Sequence, residues 1–270
     1  MQKDILAKAK ELISGADAIL VTAGAGMGVD SGLPDFRGIE GFWRAYPAIK
    51  DLGLRFEEMA NPKWFEDDPS LAWAFYGHRL NLYRETTPHS GFLKLLKLCK
   101  KKKNGYFVFT SNVDAQFQKA GFSDDKIVEV HGQIEHFQCS INCTDQIWKD
   151  RDTFVEIDKD SFRADGELPI CLNCGNIARP NILMFGDWSW ISQRTDMQNY
   201  RLQNWLDNAG KIVILEFGAG LAVPTIRFFG ENITSRYDAK LIRVNPRDTD
   251  VPNGEISIPL GACEAIELLL

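Results

Sequence analysis

The sequence predicts an α/β fold: a doubly wound parallel sheet with a second, smaller domain attached. Three observations predict it. Short apolar runs alternate with helical periods, the pattern of βαβ units. The first such run, 18–21, ends in a glycine-rich turn, Gly24-Ala25-Gly26-Met27-Gly28, as a strand does when it passes into a loop that must approach a ligand closely. Two stretches then break the alternation: 39–88, dense in aromatic residues, and 133–180, which holds the close cysteine pairs.

The chain opens with an amphipathic helix, Ile5, Ala9, Leu12 and Ile13 on one face, ended by Ser14-Gly15. A strand over 18–23 leads into the glycine turn and then to Ser31-Gly32-Leu33-Pro34-Asp35-Phe36-Arg37-Gly38, which sets a carboxylate, an aromatic ring and a guanidinium side by side. Helical periods fill 39–88, the longest beginning at Pro69 and running to Glu85; a simple crossover rarely needs so many residues, so this is an insertion. A helix over 90–98 precedes strands at 106–110 and 127–130, the second ending at His131-Gly132. After the cysteine-bearing insertion, strand-like runs recur at 182–185, 211–217 and 240–245. The expected division is 1–38, 89–132 and 181–270 in the large domain, with 39–88 and 133–180 as two modules of the small one.

With 270 residues, 44% hydrophobic and 25% charged, the composition is that of an ordinary soluble globular protein. A net charge of −6, from 31 basic and 37 acidic residues, argues against nucleic acid as a partner. The basic run Lys100 to Lys103 reads as the solvated end of a helix. There is no signal-peptide pattern and no apolar run of about 18 residues, so the expectation is a cytoplasmic chain with no membrane span.

Cys139-x-x-x-Cys143 and Cys171-x-x-Cys174 form two tight pairs of thiols. Four thiolates arranged so are what a tetrahedral zinc needs, and a closed four-cysteine sphere leaves no position for water, so such a metal is structural. Two disulfides or unpaired buried cysteines are the other reading, the disulfides being disfavoured in a reducing compartment. Cys99 and Cys263 read as packing residues. A second constellation, Thr110-Ser111-Asn112-Val113-Asp114 and His131-Gly132, stands at strand ends that face the same crevice as the Gly24 turn. That makes His131 a candidate general base, whereas His78, His89 and His136 read as structural. Asn112 and Asp114 suit a turn as well as a site.

These motifs together resemble the sirtuins, NAD-dependent protein deacylases. The matching residues are Gly24-Ala25-Gly26 with Gly32 to Arg37, Asn112-Val113-Asp114, His131-Gly132, the four cysteines, Arg179-Pro180 with Phe185-Gly186, and Val244-Asn245, in the family's order across nearly the whole chain. The resemblance implies a Rossmann-like dinucleotide-binding domain and a small domain made of a helical module and a zinc module. It implies that Gly24, Ala25, Gly26, Asp35, Phe36 and Arg37 hold NAD, that Ser111 and Asn112 sit at the reactive ribose, and that Asp114 holds the nicotinamide carboxamide. His131 is then the base, Phe185 and Gly186 border the acyl-lysine tunnel, and Gly218, Ala219, Gly220, Asn245, Ala262 and Cys263 contact phosphates and adenosine. The implied partner is an acylated protein or peptide, whose acyl group passes to ADP-ribose as nicotinamide leaves.

The chain departs from the family pattern at Ser111, where glutamine is usual, at Gly28 for serine, at Gly218-Ala219-Gly220 for Gly-Thr-Ser, and at Asp187 for glutamate. Set beside the family pattern, these changes imply fewer hydrogen bonds to the cofactor, each one removed being worth about 1 kcal/mol. Tyr76 and Arg79, three apart on the long helix, share a face. In this family that pair marks enzymes accepting acidic acyl groups such as succinyl and malonyl; a core tyrosine beside a surface arginine is the other reading. The alternatives to deacylation are NAD glycohydrolysis or protein ADP-ribosyl transfer in the same pocket, and, in another class, a non-catalytic module that binds NAD or acyl-peptide.

Overall fold

The computed structural model describes residues 2–35, 38–158 and 160–270. Among them eleven strands form three sheets. They are β1 (Ala18–Ala23), β2 (Tyr106–Thr110), β3 (Ile127–Glu129), β4 (Gly132–Cys139), β5 (Trp148–Lys149), β6 (Glu156–Asp158), β7 (Arg163–Asp165), β8 (Ala178–Ile182), β9 (Ile212–Phe217), β10 (Lys240–Val244) and β11 (Ile256–Ile258). The large sheet has the order β11-β10-β9-β1-β2-β3 and every pairing in it is parallel. β1, β2 and β9 are buried along their whole length, which is why they read as continuous apolar runs rather than alternating ones. From β1 the strand order runs one way through β2 and β3 and the other way through β9, β10 and β11. The crevice between the carboxyl ends of β1 and β9 is therefore the switch point at which open α/β sheets take their ligands.

Separate cores cover the two faces of this sheet. One gathers Ile19, Val21, Leu95, Val108, Val213 and Ile266, and the other Leu20, Phe107, Phe109, Ile214 and Leu241. A third core joins the two insertions: Phe42, Trp73, Phe75 and Tyr76 pack with Ile134, Phe137, Val155 and Ala178. The helix Pro69–Glu85 lies inside it, with Asp68 accepting from Leu71 N at its start and Pro69 in its first turn. Trp73 Nε1 donates to the Ala178 carbonyl at 3.0 Å, and its ring stands edge-on to Phe137 at 5.3 Å. The helical and cysteine-bearing modules thus share one interior.

The strand expected at 182–185 is corrected: it runs Ala178–Ile182, and it pairs antiparallel with β4 in a three-stranded sheet of the small module rather than in the large sheet. Arg179, Pro180 and Asn181 interrupt the apolar pattern, yet all three are buried. Arg179 is neutralised by Asp187, and Asn181 Nδ2 donates to Gln138 Oε1 and the Ile191 carbonyl. A polar strand can be buried when each group finds such a partner, and local apolar periodicity does not register this. The boundary expected after residue 180 consequently falls inside a strand. The short strand β11 was not expected from the sequence either. Among the described residues no helix is long and apolar enough to cross a membrane.

Candidate active site and metal centre

A cavity of about 480 Å³ opens at the switch point, a size suited to a small-molecule ligand. It is lined by Gly24 and Ala25 after β1, Ser111 to Asp114 after β2, His131 after β3 and Gly218 to Gly220 after β9. Leu33, Pro34 and Asp35 close one side, and Tyr76, Arg79 and Tyr83 of the long helix another, with Met184 and Phe185 beyond. The expected residues Gly26, Gly186, Asn245, Ala262 and Cys263 lie off this lining. Phe36 and Arg37 fall outside the described residues.

The glycines of the first turn have a packing reason. A Cβ on Gly26 would lie 2.6 Å from Gly218 Cα, and one on Gly218, whose φ is +60°, would lie 2.4 Å from Gly26. The turns after β1 and β9 therefore touch backbone to backbone, and side chains at these positions would force them apart. Gly132 is required for the same kind of reason: with φ +79° its Cβ would stand 2.0 Å from the Asn181 carbonyl oxygen. The glycine beside His131 lets β8 cross directly against the chain, and the Leu183 N–H donates to the His131 carbonyl at 2.9 Å.

Asn112 and Asp114 are turn-forming and cavity-lining at once. Thr110 Oγ1 accepts from Asn112 N at 3.0 Å, and Asn112 Nδ2 donates to the Gly24 carbonyl at 3.0 Å, tying the β2 loop to the β1 turn. Asp114 Oδ1 accepts from Gln116 N at 3.0 Å. Between them Ala115 takes a left-handed φ of 56°, an uncommon conformation for alanine. Burial pushes the Asp114 carboxyl up to about 6, helped by the Glu129 charge and opposed by the Gln116 N–H and Arg79. Burial also holds the His131 imidazole below its usual range, against a hydrogen bond with the Ser111 main chain. A neutral imidazole at neutral pH is the form that can accept a proton.

The other histidines have structural partners. His78 Nδ1 meets Tyr46 Oη at 3.3 Å, His89 Nδ1 accepts from Gly91 N at the start of the helix Ser90–Lys100, and His136 Nδ1 meets Gln133 Oε1 at 2.7 Å. Arg79 is buried, its guanidinium 5.3 Å from the Phe75 ring centroid and 5.8 Å from that of Tyr76. Its Nε and Nη2 donate to Tyr83 Oη at 3.1 and 3.0 Å. It is thus not the surface arginine of the alternative reading. Tyr83 was missed in the sequence, though its position four residues after Arg79 was a usable signal. Leu33, Pro34, Val113 and Met184 were missed as lining residues because nothing in their local spacing marks them.

Asp187 does not face the cavity. Its carboxylate receives Arg179 Nη1 at 2.8 Å and Nη2 at 3.0 Å, both side chains being fully buried, and it also accepts from Ser189 N. This departure from the family pattern therefore removes nothing from a cofactor; it fixes the segment 184–189. Asp187→Ala leaves a buried guanidinium unpaired, and a stability loss of about 3–5 kcal/mol in urea denaturation is expected. Gly28 also lies off the cavity lining; its carbonyl accepts from Ser31 and Leu33 N–H and shapes the loop. The Cys263 N–H is engaged by Asp30 Oδ2 at 2.7 Å.

Cys139, Cys143, Cys171 and Cys174 bring four sulfurs within 4.8 Å of one another. Cys139 Sγ lies 3.7 Å from Cys174 Sγ, and Cys143 Sγ 3.6 Å from Cys171 Sγ. A disulfide requires about 2.05 Å, whereas a tetrahedron with Zn–S bonds of about 2.3 Å has edges near 3.8 Å. Asn173 Nδ2 and Asn176 Nδ2 each donate to a cysteine sulfur at 3.3 Å, to Cys143 and Cys174, as suits thiolates that carry charge. The donor set and its spacing fit a structural zinc.

The model of the Sir2 family matches residues 24–252. An NAD-dependent protein deacylase of Pyrococcus furiosus is 32% identical over 185 residues, 68% of this chain and 66% of that protein; the chain thus matches just under two thirds of that relative's length. One from Aquifex aeolicus is 28% identical over 86% of this chain and 85% of its own. Among solved structures, a Sir2 homolog–NAD complex superposes with a TM-score of 0.72 at 23% identity, covering 97% of this chain and 92% of that one. A Sir2 protein with deacetylated p53 peptide and 3′-O-acetyl ADP-ribose superposes with a TM-score of 0.70 at 21% identity, covering 98% and 96%. At these identities the two structures establish the fold.

Proposed function

Since this chain belongs to the Sir2 family, we propose that it is an NAD-dependent protein-lysine deacylase with a structural zinc. The observation that carries the reading is the convergence of Ala25, Asp35, Asn112, Asp114 and His131 on one cavity at the switch point. When bound, NAD supplies the ribose carbon that the acyl oxygen of a modified lysine attacks as nicotinamide leaves. The turns at Gly24-Ala25 and Gly218 to Gly220 offer main chain to the phosphates, and Asp114 accepts from the nicotinamide carboxamide. Asn112 lies at the ribose, and His131 takes a proton from a ribose hydroxyl at an imidazole nitrogen. Leu33, Val113, Ile182 and Met184 give the cavity an apolar wall that keeps water from the activated ribose.

We further propose that Tyr76 and Arg79 select acidic acyl groups. Both line the cavity and both are buried, so a succinyl or malonyl carboxylate entering the tunnel meets a guanidinium in a low-dielectric setting, where a charge-assisted bond is strong. One peptide carrying acetyl, malonyl or succinyl lysine, incubated with NAD and read by mass spectrometry, tests both statements. O-acyl-ADP-ribose identifies deacylation; free ADP-ribose or an ADP-ribosylated target identifies glycohydrolysis or transfer instead. Arg79→Met is expected to lower kcat/KM for the succinyl peptide by about 10- to 100-fold and to spare the acetyl peptide. An unaltered acyl preference in this variant removes the selectivity claim.

A further inference from the structure

The loops that leave the carboxyl ends of β1, β9 and β10 are joined in a ring beside the cavity. The β1 and β9 turns meet at Gly26 and Gly218. Asn245, just after β10, donates from Nδ2 to the Ala219 carbonyl at 2.8 Å. Its Oδ1 accepts from the main-chain N–H groups of Arg247 and Asp248, each at 3.0 Å, so the backbone bearing Arg247 is fixed to the β9 turn. Arg247 Nη2 then reaches Asp35 Oδ2 at 2.8 Å, across 212 positions of sequence. Asp35 lines the cavity, while Arg247 does not. The ion pair returns the ring to the segment that began at β1.

We propose that Arg247 is a positioning residue for the cofactor: by holding Asp35 it fixes the loop 25–35 over the cavity in the arrangement that takes the dinucleotide. The proposal rests on the reading of this cavity as an NAD site. Arg247 is 63% exposed and Asp35 21%, so the pair adds little to global stability and is open to screening by salt. Its effect is local, on a loop anchored by Met27 and Leu33 in the cores whose opening costs less than unfolding the sheet. It acts on cofactor binding and not on the chemical step.

Calorimetric titration of the full chain with NAD, on wild type, Arg247→Ala and Arg247→Lys, tests this. Arg247→Ala should bind NAD about two- to fivefold more weakly, with Arg247→Lys recovering part of the loss and the difference shrinking as salt is raised. In kinetics the KM for NAD should rise while kcat at saturating NAD and the KM for peptide hold. Amide hydrogen exchange of 25–35 in NAD-free protein should quicken in Arg247→Ala; a merely structural surface residue would leave that segment and the KM split unmoved. Unchanged NAD affinity with unchanged exchange overturns the proposal, as does a loss that persists undiminished at high salt. A wild type that binds no NAD overturns the cofactor assignment, and the role of Arg247 with it.

Discussion

His131→Ala is expected to lower O-acyl-ADP-ribose formation by about 10²- to 10⁴-fold, the usual worth of a general base, while acyl-peptide binding holds. The loss would follow from the removal of one proton acceptor, since the surrounding cavity is built by β1, β2 and β9 and does not depend on the ring. Two buried titratable groups bear on the pH profile of the wild type. His131 is held below its ordinary value by burial, so it keeps its neutral form to lower pH than a free imidazole does. Asp114 is raised to about 6, so near that pH it would gain a proton and cease to accept from a carboxamide. An acid limb near pH 6 in kcat/KM for NAD is therefore expected, and Asp114→Asn should abolish that limb together with much of the NAD affinity. For stability the sign is opposite. A carboxyl raised above its unfolded value of 3.8 makes the folded state bind the proton more tightly, so its burial costs stability above pH 6, and the cost is relieved as pH falls from about 6 toward 4. Asp114→Asn should accordingly raise the melting temperature at pH 7. A kinetic profile flat from pH 7 to 5 would contradict the assignment.

Metal removal carries the second large effect. Chelation of the four-cysteine centre, or Cys171→Ser, is expected to release one zinc per chain, measurable with a colorimetric chelator, and to lower the melting temperature by on the order of 10 °C or more. Activity should fall as well, although the sulfur cluster is no part of the cavity lining. The link is the shared interior: Trp73 bonds to the Ala178 carbonyl at 3.0 Å and packs on Phe137. Trp73 lies about one turn before Tyr76 and nearly two turns before Arg79 on the same helix. Loosening β4 and β8 would free that helix face and blur the acyl tunnel before it touched the sheet. A chelated protein that kept its acyl preference and its melting temperature would show that the cysteines are not metal-bound in solution.

The sequence determined five of the six large-sheet strands, β11 being the exception, and the cysteine centre, because these are local signals. Buried parallel strands are continuous apolar runs, and β1, β2 and β9 were readable as such; two short cysteine spacings announce a metal knuckle before any fold is known. The order of motifs likewise carried the family. Other features were decided by tertiary structure alone. The role of Asp187 depends on Arg179, eight residues away, meeting it in a fully buried pair, and β8 is a strand because Asp187 and Gln138 satisfy polar side chains that local periodicity counts against it. Whether Arg79 was a surface residue or a cavity guanidinium could not be settled from helical spacing, since burial is set by what packs from elsewhere, here Phe75, Tyr76 and Tyr83 around it. Gly26 and Gly218 look like ligand-binding glycines in the sequence; the structure adds a second reason for them, since a Cβ on either would collide with the other's backbone. A one-dimensional pattern records which residues a strand or knuckle needs, but close approaches and charge pairings between distant segments arise only when the chain is folded, because they are properties of two backbones at once.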